Sequence, residues 1–590
     1  MSKTILKSVL LFIISTIAFI SRGQKTPFEL GNGNQSATYY ECISYYKKLA
    51  LSNERVSVLT YGKTDSGEPL HLVVLTQGTA PNDSKTDRDA FIQKIKNEEK
   101  SVFLVMNGIH PGEPEGIDAS MMLARDLATE KSVLLKDLVV CIIPVYNIGG
   151  ALNRNCCTRA NQNGPERHGF RGNAQNLDLN RDFIKADSRN TWAFWEIYHD
   201  WRPDVFIDNH TSNGADYQYT MTLIDSQRDK QDFGVKKYQE KMVPLIAEKM
   251  KEDGEEICPY VNVHGKALDN EIVAFFESPR YSTGYTTLWG TVSFVAEAHM
   301  LKPFDDRVNA TYLLMESIIE VMQETKEDLR KRHFYTVKHE LKKEYWPIRW
   351  ELDKTEHSTI NFKGYAYEYV ESVVPGQKRL YYNHDKPFEK EIKYYDTYKP
   401  TDSIDKPFAY VIPQGWYKVV DRLEANGCMV KQALSDTTIE VEYYEITNFK
   451  SSSKPYEGHF PHNSITTESK IENFYVRSGD YFVILPNRFA IETLEPRAMD
   501  AFLVWNFFDP ILQQKEGFSA YVFEDDAKKM LDNNNKLRAE FEAERVKDTD
   551  FANNYYAQLN WLYKRSLFYE NAYMKYPVYR IMEVTKLPIK

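Results

Sequence analysis

The sequence predicts an α/β domain, then a β-rich, sandwich-like region, then a helical tail. Three observations carry this. From about Thr38 to Arg330, short and nearly continuous apolar runs alternate with amphipathic segments. Past Tyr345 the pattern changes to alternation of apolar and polar residues. From about Asp525, apolar residues recur with the spacing of a helix. Strands covered on both faces by helices read as unbroken apolar runs, whereas strands with one wet face alternate.

The elements follow in order. "SVFLVMNGI", "DLVVCIIPVYN", "DVFIDNH" and "TVSFVAEA" are the apolar runs of the first region, and "GIDASMMLARDLATE" and "SRNTWAFWEIYHDW" are amphipathic segments between them. A last helix from Asp305 to about Arg330 places Leu314, Ile318, Ile319 and Met322 on one face and ends in the charged "KEDLRKRH". Beyond it, "KGYAYEYVE", "TTIEVEYYEI" and "ENFYVRSGDYFVIL" alternate between turn residues, as antiparallel strands do. "AKKMLDNNNKLRAEFEAE" has helical period. A chain of 590 residues exceeds one ordinary core. The expected organisation is a leader over 1–23, a first domain over 24–335, a β-rich domain over 345–524 and a helical tail over 525–590.

Composition narrows the function classes. With 42% hydrophobic and 27% charged residues the chain is a folded, soluble type. A formal net charge of -10, without a long lysine or arginine run, argues against nucleic-acid binding. Lys3 and Lys7 precede "SVLLFIISTIAFI", a run fitting a signal peptide and short of the ~20 residues of a membrane span. Export to the periplasm or the medium is expected, with no stable membrane insertion after the leader is removed. An uncleaved N-terminal anchor is the competing reading. Six cysteines, with Cys156 and Cys157 adjacent and no C-x-x-C pair, permit disulfides and disfavour a thiolate zinc site.

Polar residues gather at the ends of the apolar runs. "NGIHPGEPEG" puts His110 and Glu113 just past a strand, where the sheets of α/β proteins bind ligands. Asn147, His210 and Glu297 close three further strands. Two histidines and a glutamate, two of them spaced H-x-x-E, are the three-ligand form that catalytic zinc takes. "FRGNAQNLDLNRDF" adds Arg171, Asp178, Asn180 and Arg181, and an Asn-Arg pair can grip a carboxylate in a fork. A second arginine near a metal could stabilise an oxyanion. His299, two residues beyond Glu297, reads as a packed or hydrogen-bonded histidine rather than a ligand.

The set "HPGE", "RGNAQNLDLNR", "IDNH" and "SFVAE", in that order, resembles the zinc carboxypeptidases of the carboxypeptidase A type, the M14 metallopeptidases. "TYYECISYYKKLA" and "YGKTDSGEPLHLVVLT" are similar to that family's opening helix and first hairpin, so the resemblance covers about Thr38 to Arg330. It implies a mixed sheet flanked by helices, with one zinc ion per chain held by His110, Glu113 and His210. It implies that Asp178 orients a zinc-bound imidazole, that Glu297 is the general base and that Arg171 stabilises the oxyanion. Asn180 and Arg181 would hold the terminal carboxylate of a peptide substrate, and Tyr281 would be the mobile tyrosine, with Tyr285 its alternative. Arg159, in an insert spanning Asn153 to Gly169, rivals Arg171. Asp182 stands where an Asn often follows the Asn-Arg pair. The implied activity is hydrolysis of the C-terminal peptide bond. The alternatives are a zinc amidase acting on peptidoglycan stem peptides or N-acyl amino acids, and an inactive peptide-binding protein of the same fold.

Overall fold

The computed structural model describes residues 24–263, 267–268, 270–340, 343–374 and 376–589, and the expected leader over 1–23 lies outside them. The first elements are α1 (Tyr39–Ser52), β1 (Val56–Lys63), β2 (Pro69–Leu75), α2 (Lys85–Asn97), β3 (Ser101–Asn107), α3 (Glu115–Ala128) and β4 (Leu138–Ile143). Then come α4 (Arg189–Trp201), β5 (Val205–Ser212), β6 (Met221–Asp225), α5 (Phe233–Glu252), β7 (Ile257–Pro259), β8 (Glu271–Val273), β9 (Val292–His299) and α6 (Phe304–Glu324).

Eight of these strands make one sheet in the order β1-β2-β4-β3-β5-β9-β6-β7. Its centre, β4-β3-β5-β9, is parallel, and antiparallel pairs flank it at β2-β4 and β9-β6. The sheet is therefore mixed, as expected. Every residue of β3, β4 and β5 is buried, which explains the unbroken apolar runs. Burying each Val or Leu there contributes about 1.5–3 kcal/mol. The amphipathic α3 and α6 cover the sheet with Ile117, Leu123, Leu127, Leu314 and Ile318. Thr38 and Glu41 start α1 with a reciprocal capping box.

The alternating region is β-rich, as expected, and its strands are divided among three sheets. Strands β10 (Tyr345–Leu352) and β13 (Tyr398–Asp405) pair with each other. Strands β11 (Ser358–Val370) and β12 (Arg379–Tyr395) form a hairpin whose β12 pairs with β8. These four strands stay with the first compact unit, which runs to Lys406 and takes in Asp421–Cys428 and Asn487–Asp500. The first unit thus passes the boundary expected near 335–345. The cause is packing: Tyr217, Tyr219, Val261 and Ile272 share a core with Phe362, Ile392 and Tyr394.

The second unit comprises Pro407–Val420, Met429–Pro486 and Ala501–Lys590. It holds β14 (Ala409–Ile412), β15 (Val430–Gln432), β16 (Thr437–Ser451), β17 (His462–Val476), β18 (Tyr481–Ile484) and β19 (Tyr579–Ile581), ordered β15-β18-β14-β19-β16-β17. Helices α7 (Ala520–Asn533), α8 (Asn535–Lys547) and α9 (Tyr555–Tyr563) occupy the expected tail and share an apolar cluster of Phe523, Leu537, Phe541 and Leu562. The tail is not helical to its end, because β19 returns to pair with β14. Cys156 and Cys157 are joined to each other, and the other four cysteines are free and buried. Among the described residues no helix is long and apolar enough to cross a membrane.

Candidate active site

The Gly- and Pro-rich segment after β3 turns the chain sharply and brings it against β5. Gly108 takes a left-handed conformation (φ 64°) that favours glycine. At Gly116 a Cβ would lie 2.4 Å from Asn107 Oδ1 and 2.5 Å from Asn209 Cβ, so the close approach of helix α3 to the sheet there leaves no room for a side chain. The two glutamates of the turn divide their work. Glu113 faces the cleft, whereas Glu115 is buried, accepts from Arg307 Nε and from Thr211 Oγ1, and pins the turn to β5 and α6.

Glu113 joins the two histidines. Its Oε2 lies 3.3 Å from His110 Nδ1, 3.0 Å from His210 Nδ1, and accepts from the Thr211 amide at 3.1 Å. The candidate ligand atoms of His110, Glu113 and His210 all lie within 4.8 Å of one another. Each imidazole turns its second nitrogen to a carboxylate: His110 Nε2 is 2.9 Å from Asp178 Oδ1, and His210 Nε2 is 3.0 Å from Asp208 Oδ2. This donor set fits a metal ion. Two imidazoles and a carboxylate converge and leave a side open, and carboxylates behind the rings fix which nitrogen coordinates.

Around the triad is a cleft of about 310 Å³ whose lining includes Arg159, Arg171, Asn180, Arg181, Tyr281 and Glu297. Glu297 stands on β9 directly opposite His210 on β5. Burial raises its carboxyl to about 8, with Glu113 and Asp208 adding to the rise and His210 opposing it. Burial also works against the charge of Glu113, but Arg159 and His110 outweigh it and hold that carboxyl well below its ordinary value. Asp178 is likewise held far down: His110 and Arg171 overcome its burial.

The two arginines differ in their attachments. Arg171 gives Nε and Nη2 to Asp178 Oδ2 at 3.1 and 2.9 Å, and its Nη1 stands 3.7 Å from Glu113 Oε1. Arg159 donates to the same Glu113 oxygen at 2.8 Å. The insert carrying Arg159 therefore reaches closer to Glu113 than Arg171 does. Asn180 accepts from the Ser282 amide at 3.3 Å, and the guanidinium of Arg181 lies 4.5 Å from the centre of the Tyr281 ring.

Of the two tyrosines, Tyr281 lines the cleft. Tyr285 is fully buried elsewhere, its hydroxyl donating to Asn426 Oδ1 at 2.6 Å. Asp182 is buried too, and accepts from Lys185 Nζ, the Asp187 and Ser188 amides, and the hydroxyls of Ser188 and Thr191. It thereby anchors the chain just past Arg181. His299 stacks on Tyr217 at 4.1 Å and lies 3.3 Å from Asp216 Oδ1, outside the cleft lining. Asn147 caps a short helix and donates to the carbonyls of Ile109 and Arg171, bracing two site segments. Sequence reasoning missed Asp208, Ser282 and the wall of Ile224, Tyr260, Phe275 and Val295.

Residues 42–268 match the family described as zinc carboxypeptidase, peptidase M14. The matched segment lies within the first unit. Tyr281 and Glu297 lie beyond the matched segment. Curated relatives reach further. "Carboxypeptidase 2" of Trichophyton tonsurans is 23% identical over 520 residues, covering 82% of this chain and 86% of its own. That of Trichophyton rubrum is 22% identical over 517 residues, covering 82% and 85%. Among solved structures, a metallo-carboxypeptidase from Pseudomonas aeruginosa, in complex with (2-guanidinoethylmercapto)succinic acid, is 16% identical. It covers 50% of this chain and 71% of its own, with a TM-score of 0.37.

Proposed function

We propose that the protein is an exported zinc metallocarboxypeptidase that removes the C-terminal residue of peptides. The observation that carries this reading is the convergence of His110, Glu113 and His210 in one cleft with Glu297, Asn180 and Arg181. The name carried by the Trichophyton relatives, carboxypeptidase 2, agrees with it. Export rests on the N-terminal apolar run alone.

A zinc ion held by His110, Glu113 and His210 would supply Lewis acidity. The protein's own residues do the rest. Arg181 and Asn180 take the substrate's terminal carboxylate, and this grip fixes which amide lies beside Glu297. Tyr281, against the Arg181 guanidinium, closes over the bound residue. Glu297 accepts the proton of the attacking water and returns it to the leaving amine. Arg171 and Arg159 meet the negative charge that grows on the carbonyl oxygen, an interaction worth most in the transition state.

Amidating the substrate's C-terminus tests the polarity of cleavage. It removes the charge that sets register and the ion pair with the Arg181 guanidinium, a loss of about 2–5 kcal/mol. Amidated peptides should be cut at least about tenfold more slowly in kcat/KM than their free acids, and Arg181→Ala should erase most of that preference. Internal cleavage of amidated peptides at an undiminished rate would remove the carboxypeptidase reading and leave a zinc amidase.

A further inference from the structure

We infer that Asp208, held in place by Ser282, is a positioning residue for His210 and ties this metal ligand to the segment that carries Tyr281. The inference rests on the zinc reading above. Asp208 and His210 are two residues apart on β5, so the alternation of a strand puts both side chains on one face. Asp208 is fully buried, and its Oδ2 lies 3.0 Å from His210 Nε2. That ring nitrogen is buried and has no aligned hydrogen-bond partner among the described residues, so the carboxylate stands off the N–H axis and acts by charge and proximity.

The same Oδ2 accepts the Ser282 hydroxyl at 2.6 Å. Ser282 in turn gives its amide to Asn180 Oδ1 at 3.3 Å, and its neighbour is Tyr281. A continuous path therefore runs from a metal ligand, through Asp208 and Ser282, to the carboxylate grip and the tyrosine at the cleft. A carboxylate facing Nε2 keeps the proton there and leaves the Nδ1 lone pair pointing at Glu113 and the metal position. Ser282 holds the carboxylate against rotation. Asp208 thus backs His210 from within the strand as Asp178 backs His110, but by charge where Asp178 makes a hydrogen bond.

The test uses the full-length, zinc-loaded protein in competition with a chelator at fixed pH. Asp208→Asn, which keeps size, should weaken zinc about 10- to 100-fold. Ser282→Ala should weaken it about three- to tenfold, although Ser282 touches no ligand atom. The visible spectrum of the cobalt-loaded protein should shift in both variants, a change that a purely structural role would not produce. Thermal unfolding of the metal-free variants should stay within a few degrees of the parent. Zinc affinity within twofold of the parent in both variants, with an unchanged cobalt spectrum, overturns the inference while leaving the zinc site intact. If Asp208→Asn fails to fold, an unchanged affinity in Ser282→Ala overturns it alone. A parent protein that takes up no zinc defeats the functional reading, and this inference with it.

Discussion

At the residue scale, Glu297 and His210 face each other across paired strands, and the proposed chemistry gives them different duties. Glu297→Gln preserves size and removes basicity, so turnover should fall by about 10²- to 10⁴-fold while zinc content stays at one per chain. His210→Ala should instead lose the metal. Metal analysis beside single-turnover rates separates the two, and zinc loss from Glu297→Gln would make Glu297 a ligand. The arginines give a second comparison. Arg171 already spends Nε and Nη2 on Asp178, whereas Arg159 is the nearer to Glu113. Arg159→Ala should therefore cost kcat at least as much as Arg171→Ala, and a much smaller loss would return the oxyanion role to Arg171 alone. The residues whose chemistry shows in short motifs, His110, Glu113, Asp178 and Arg181, were legible in the sequence. Asp208 was legible in principle, since D-x-H on a strand shares one face, but it was hidden behind its neighbour. Arg159 was not decidable, because its reach depends on how a long insert folds back.

At the element scale, helix α3 positions the HPGE turn and carries a buried acid the proposed chemistry does not use. Asp118 is fully buried, accepts from the Ala37 amide at 3.1 Å through Oδ1, and its Oδ2 has no hydrogen-bond partner among the described residues. Burial pushes its carboxyl up to about 7, with Ala37, Ser36 and Arg154 pulling the other way. The folded protein therefore keeps a proton that the unfolded chain releases near its ordinary value of 3.8. The stabilisation is complete below that value and is lost as pH rises toward 7, at about 1.4 kcal/mol per pH unit where the two states differ. Asp118→Asn should flatten the stability profile between pH 4 and pH 7, measured by denaturant unfolding. A profile as steep as the parent's would assign the slope to other groups. The apolar runs announced β3, β4, β5 and β9 because burial on both faces leaves no polar position. Strand β8 gave no such signal: it has three residues, and its partner β12 lies more than a hundred residues on.

At the scale of the whole molecule, the sequence placed a boundary near 335–345, where charge and alternation change, yet the first compact unit continues to Lys406 and recruits two later segments. The reason is non-local burial, which composition does not reveal. Phe362, Ile392 and Tyr394 complete a core with Tyr217, Tyr219 and Ile272, and Gln218 donates to the carbonyls of Gly364 and Phe388. Near the cleft, Arg280, next to Tyr281, gives its amide and Nε to the fully buried Asp500 at 2.9 and 2.7 Å. A chain ending at residue 341 would strip β8 of its partner, open this core and leave Arg280 without Asp500. In the full-length protein Phe362→Ala should already cost about 3–5 kcal/mol, the range for deleting a buried phenylalanine. The truncated chain loses several such groups at once, against a total stability of about 5–15 kcal/mol for a domain. It should therefore be insoluble, or unfold at a much lower temperature, and lose kcat/KM even where zinc is supplied. Recovery of a soluble truncated chain with the parent's melting temperature and kcat/KM would show that the domain bearing the cleft ends where the sequence pattern changes, and that the β11–β12 hairpin is an accessory to it rather than part of its core.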